Sequence, residues 1–171
     1  GDGFNESTGA GGDFGVVEIR SGNIKAEGGK AVSLKFGAGA GIGGGGFGHE
    51  RSGNEDMLDW IYAGRIYIKG GNIEAVGGAD SNAFCGAAGI GSGAGNASGD
   101  RAFGDSMVTE ITGGNITAYG AINAAGRGGS AKGSFGEITT SGDAVVEDVG
   151  GSDEYGSRGD GDGGGHTDGG T

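Results

Sequence analysis

Apolar and polar residues alternate along short runs of this chain, and each run breaks at an equivalent place. Val17 and Ile19 lead into Ser-Gly-Asn at 21–23, and Ile24 and Ala26 follow. Ile66 and Ile68, then Ile73 and Ala75, repeat the pattern around Gly-Gly-Asn at 70–72. Thr109 and Ile111, then Ile116 and Ala118, repeat it around Gly-Gly-Asn at 113–115. A period of two sends successive side chains to opposite faces of a strand, so each run predicts a strand, a corner and a second strand. Glycine and asparagine at the break tolerate the left-handed backbone that a tight corner requires.

Aligned on Asn23, Asn72 and Asn115, which lie 49 and 43 residues apart, the runs share the phrase I-x-S/G-G-N-I-x-A-x-G. A second phrase follows each: AGIGGG at 40–45, AGIGSG at 88–93 and a divergent AGRGGS at 125–130. Two phrases recurring in one order define a structural unit. Hairpins would give no reason for the register to return, whereas one solenoid turn per unit stacks equivalent residues about 4.8 Å apart. The expected fold is all-β, a short parallel β-helix of about three to four rungs. Ile19, Ile68 and Ile111 should form one inward row, and Ile24, Ile73 and Ile116 the next. On the outside Lys25 should attract Glu74 and Arg20 should repel Lys69. Exposed pairs are worth only about 0–1 kcal/mol, so the inward rows must set the register.

The second phrase predicts a third side on which Ile42 or Ile90 is the one large inward residue. Its glycines imply close backbone approach, across a narrow core or to a neighbouring molecule. Phe36 and Phe84 read as wedges beside it. A fourth unit begins in GEITTSGDAVVEDVGG at 136–151, with one extra residue, and AGGDFG at 10–15 resembles the end of a preceding one. Terminal repeats are often partial or capping.

The repeat domain therefore spans 1–150, with an insertion at 46–64 and a flexible acidic tail at 151–171. Within the insertion Asn54 can cap a short helix, Met57, Trp60 and Ile61 fall at helical spacing, and Gly64 can end it. Such a helix would be a lid over an exposed core edge, or an interface anchor using Trp60 and Tyr62. Residues 95–107, with Phe103, form a second excursion at the corresponding corner, and the two should lie on one face.

Glycine supplies 49 of the 171 residues, which by itself suggests low complexity. The absence of proline and of a strict third-position glycine excludes collagen. The recurring apolar register argues against disorder, because it lets a thin core of Ile, Val and Ala form. A net charge of −12 makes the chain a poor partner for nucleic acid. No apolar stretch is long enough to predict a membrane-spanning helix. With Gly1 in place of Met and no signal-peptide pattern, the chain is expected to be a processed protein or a piece of a longer one. The lone Cys85 admits a buried apolar role or a link to another chain.

Candidate chemistry is sparse. Asp160, Asp162 and Asp168 could hold calcium weakly, but they lack the spacing of an EF-hand or of the GGxGxDxUx repeat. Neither His49 nor His166 stands near a nucleophile in a recognisable arrangement. The outward rows Glu18, Tyr67, Glu110 and Lys25, Glu74, Thr117 offer no pair of carboxylates for acid and base work, so no catalytic residue and no cofactor are expected. Asn5, Asn96 and Asn115 begin N-x-S/T sequons, Asn115 being the poorer acceptor because it belongs to the repeat. Arg158-Gly159-Asp160 matches the integrin tripeptide, a triplet that arises easily by chance in a chain of this composition.

GGNIxAxGG followed by GAGIGGG resembles a glycine-rich repeat of large surface-exposed or secreted proteins of bacteria and protists. The resemblance covers roughly residues 15–130, and Arg127 departs from it where the others have Ile. It implies a parallel β-helix and an extracellular or cell-surface location, with no mechanism. The functional expectation is a structural protein that assembles with copies of itself, its segment before residue 15 being a candidate joining strand. The alternative is an adhesion or glycan-binding module using Trp60, Tyr62 and Phe103. An enzyme ranks third.

Overall fold

The computed structural model describes residues 8–9, 14–32, 36–46, 48–49, 59–79, 86–95, 101–131 and 135–151. The strands are β1 (Thr8–Gly9), β2 (Gly15–Ile19), β3 (Asn23–Glu27), β4 (Ile42–Gly43), β5 (Gly48–His49), β6 (Asp59–Ile68), β7 (Asn72–Val76), β8 (Ile90–Gly91), β9 (Arg101–Ile111), β10 (Asn115–Tyr119), β11 (Arg127–Gly128), β12 (Phe135–Thr140) and β13 (Val145–Val149). β2, β6, β9 and β12 form one parallel sheet, β3, β7, β10 and β13 a second, and β4, β8 and β11 a third. The first two sheets take one strand from each of the four units and the third takes one from each of the first three, all in sequence order, an arrangement consistent with a β-solenoid. The antiparallel pair β1–β5 stands apart, and there is no helix among the described residues.

The rows expected from the repeat are present. Ile19, Ile68 and Ile111 are in register, as are Ile24, Ile73 and Ile116, and Ala26, Ala75 and Ala118. Ile42 and Ile90 align on the third side, and Arg127 continues their row. Ile66, Ile68, Ile73, Ile90, Ile111 and Ile116 are buried in one cluster, while Val17, Ile19, Ile24, Ala144 and Val146 pack against it from the first and last units. Complete burial of one such aliphatic side chain stabilises by about 1.5–3 kcal/mol, so the like-on-like rows carry the register.

Between strands the backbone ladder continues through the corners. Asn72 N donates to Gly22 O, Asn115 N to Gly71 O and Val145 N to Gly114 O, all at 2.8 Å. Gly22, Gly71 and Gly114 carry the positive φ, at 109°, 108° and 100°, and the following Asn opens the next strand. The fourth unit has its extra residue in this corner: Thr140 aligns with Ile111 and Val145 with Asn115, leaving Ser141–Ala144 between them. Glycine on the third side has a separate cause. A Cβ on Gly43 or Gly91 would collide with the carbonyl of Gly91 or Gly128 on the adjacent strand, and one on Gly28 or Gly77, just after β3 or β7, with the carbonyl of Gly39 or Ala87 in the same unit, so the close approach is inside the chain. Phe36 is half-buried; Phe84 lies outside the described residues.

The expected helix is corrected. Residues 59–64 belong to β6, which pairs with β9 from Asp59↔Arg101 onward, so Trp60 and Ile61 are in a strand. Two neighbouring excursions that leave the stack at one corner can satisfy each other's backbone groups, and that ladder overrides the helical spacing. The register slips between Ile61 and Ala63, a bulge of the kind that relieves mismatched insertions. Residues 54–57, where that helix would start, lie outside the described residues. Thr8–Gly9, in the expected joining strand, pairs with β5 of the same chain, and 10–13 lie outside.

Candidate functional site

The outer face of the sheet β3–β7–β10–β13 repeats one chemistry. Asn115 Nδ2 donates to Asn72 Oδ1 at 3.0 Å, and Asn72 Nδ2 donates to Asn23 Oδ1 at 2.8 Å, a polar ladder with one direction. Lys25 lies beside Glu74 with Nζ–Oε1 at 2.7 Å, the attractive pair expected from the sequence. That contact holds the Lys25 ammonium above its ordinary pKa. These side chains, with Thr117, line a shallow open groove of about 380 Å³.

On the neighbouring sheet the expected repulsion between Arg20 and Lys69 is relieved. Glu18 accepts from Arg20 Nε at 2.8 Å and from Lys69 Nζ at 2.7 Å, so one carboxylate joins both cations. The hydrogen bond from Arg20 first, and that from Lys69 second, lower the Glu18 pKa to about 2. A general acid needs a raised pKa, whereas the lowered pKa keeps Glu18 anionic at neutral pH and suits charge pairing.

The last two units share a feature not foreseen as a group. Arg127, the departure from AGIG, is buried in the row of Ile42 and Ile90. Its Nε lies 2.7 and 2.8 Å from the Asp148 carboxylate oxygens, its second terminal nitrogen lies 2.6 Å from Oδ2, and its first donates to Thr140 Oγ1 at 2.7 Å. Asp148 occupies the inward row of Ala26, Ala75 and Ala118, and Thr140 the row of Ile19, Ile68 and Ile111. The cause is geometric. Among the described residues the fourth unit supplies strands to two sheets and none to the third, whose last strand is β11. An Ile there would leave the interior open, whereas an arginine stem reaches past its own level and its planar head meets partners on β12 and β13.

Each substitution is legible singly, as Ile to Arg, Ile to Thr and Ala to Asp. Nothing in sequence joins positions 127, 140 and 148, because three-dimensional stacking alone brings them together. Among the described residues no three of His, Cys, Asp and Glu gather as metal ligands.

The remaining candidates scatter. Asn115 is exposed and sits in the amide ladder. Trp60 pairs with Ala102 and Ile61 with Phe103, and Tyr62 lies in the bulge, so the backbone brings the three aromatic candidates to one stretch of adjacent strands. His49 lies in β5. Asn5, Asn96, Cys85, Arg158-Gly159-Asp160, Asp162, His166 and Asp168 lie outside the described residues, as do 152–171 in general. Compared with known proteins, the chain matches no family model, no curated protein and no solved structure.

Proposed function

We propose that the chain is an extracellular structural protein, a parallel β-helix of about three to four rungs that assembles with copies of itself into a filament or surface layer. One observation carries the reading: among the described residues each four-stranded parallel sheet ends on strands paired on one side only, β2 and β3 at one end and β12 and β13 at the other. Such edges recruit further strands. Sedimentation velocity over a concentration series, with electron microscopy of the same samples, tests it. Concentration-dependent growth into fibres or sheets is expected, and a chain that stays monomeric throughout overturns it.

The pairing of 59–63 with 101–106 favours a second reading, a glycan-binding module with Trp60, Tyr62 and Phe103 on neighbouring strands. A glycan array separates the two. Saturable binding that Trp60→Ala abolishes, without assembly, selects the module.

A further inference from the structure

The two ends of the stack are matched in one register, and we infer that β12 and β13 of one copy dock on β2 and β3 of the next, with Glu147 facing the next copy's Lys25. The inference rests on the self-assembly reading and specifies its contact. The register follows from the rows inside the chain: Val145 aligns with Asn115, Asn72 and Asn23, so one further step places the next Asn23 over Val145. The same step places Ile24 over Val146, Lys25 over Glu147 and Ala26 over Asp148. On the adjoining sheet it places Val17 over Ile138 and Ile19 over Thr140.

Three features fit this joint. The inward residues at both ends, Val17, Ile19, Ile24 and Ala26 against Ile138 and Val146, are partly buried in the single chain and would gain cover. Lys25 already holds Glu74 at 2.7 Å, and Glu147 would bracket it from the other side. The small Ala26 leaves room above Asp148, whose carboxylate remains on Arg127.

The reverse orientation does not continue the stacked rows: joining two like ends would run the strands antiparallel, and a pair centred on Glu147 would face that carboxylate towards its own equivalent. The head-to-tail contact is heterologous and does not close on itself, which makes it a filament contact. On the third side β4 of the next copy falls two levels beyond β11, and Arg127 with Asp148 occupies the level between.

The test is charge reversal followed by sedimentation velocity of the full chain, with circular dichroism to confirm the fold. Glu147→Lys touches no ion pair among the described residues and should weaken the joint about tenfold, attraction being replaced by repulsion. Lys25→Glu should do the same, and the double variant should recover assembly. Equimolar mixing of the two single variants should recover assembly in alternating order, because every joint between unlike variants pairs opposite charges. Wild-type assembly unaltered by either reversal, or lost in both and not recovered in the double variant, overturns this register and leaves self-assembly standing. A wild-type chain that stays monomeric overturns self-assembly and the register with it. If Glu147→Lys alters the fold, Glu147→Gln takes its place, with about a threefold weakening expected and an unchanged dissociation constant counting against the joint.

Discussion

Arg127 and Asp148 show how one residue's surroundings fix the meaning of a substitution. A buried pair is poor evidence of net stabilisation, but removing one partner strands the other's charge in the interior. Asp148→Ala should therefore lower stability by about 3–5 kcal/mol, measured by urea denaturation. Arg127→Ile, Thr140→Ile and Asp148→Ala together, which return the residues used in the other units, should recover most of the loss. Thr109 is a smaller case. It is fully buried in the row of Ile66, and its hydroxyl has no hydrogen-bond partner. Thr109→Val should raise stability by about 1 kcal/mol in the same assay, because it removes the desolvation cost at nearly constant volume. Glu18 governs an acid response. Its folded pKa is depressed to about 2 from 4.5, so the unfolded chain binds the extra proton first. The stabilisation it provides is present above pH 4.5 and is lost as pH falls towards 2. Glu18→Gln should flatten the fall of melting temperature across that window, and salt should shrink the difference between the two proteins.

At the scale of the element, glycine serves different ends at different places. Gly15 has φ +71° and open space around it, so Gly15→Ala should cost only the left-handed strain of about 1–2 kcal/mol. Gly91 has φ +143°, and a Cβ there would also strike the Gly128 carbonyl on the adjacent strand. Gly91→Ala should cost more than about 3 kcal/mol, or prevent folding, and thermal melts of the two variants side by side check the order. Composition alone gives both glycines the same weight. The strand pairs β2–β3, β6–β7 and β9–β10 were readable because alternation and a fixed corner act over five or ten neighbouring residues. The extension of β6 back to Asp59 was not, because its partner is Arg101–Ser106 and a local helical spacing cannot register a backbone ladder formed some forty residues away.

Across the whole molecule, stacking by rows means that stability accumulates unit by unit through neighbour contacts. The end strands are the least protected, since Val17, Ile19, Ile24 and Val146 are only partly buried there. If copies join, each joint adds such a neighbour, and mass action then makes the melting temperature rise with protein concentration. A melting temperature independent of concentration over two decades would count against joined ends. The Arg127 pair belongs to this scale as well: it closes the side to which the described residues supply no further strand, while the edges of the other two sheets are unpaired among those residues.

The sequence by itself determined the period, the corners and the inward rows, because each depends on the alternation of neighbouring side chains and on glycine at the bend. It also determined which outward charges stand beside each other, through the offsets between Asn23, Asn72 and Asn115. Tertiary structure alone decided that Glu18 reconciles Arg20 with Lys69, that the two insertions pair as strands, and that Thr140 and Asp148 gather around the buried Arg127. Those outcomes depend on distances between residues far apart in the chain, and stacking sets those distances only after the rows have formed.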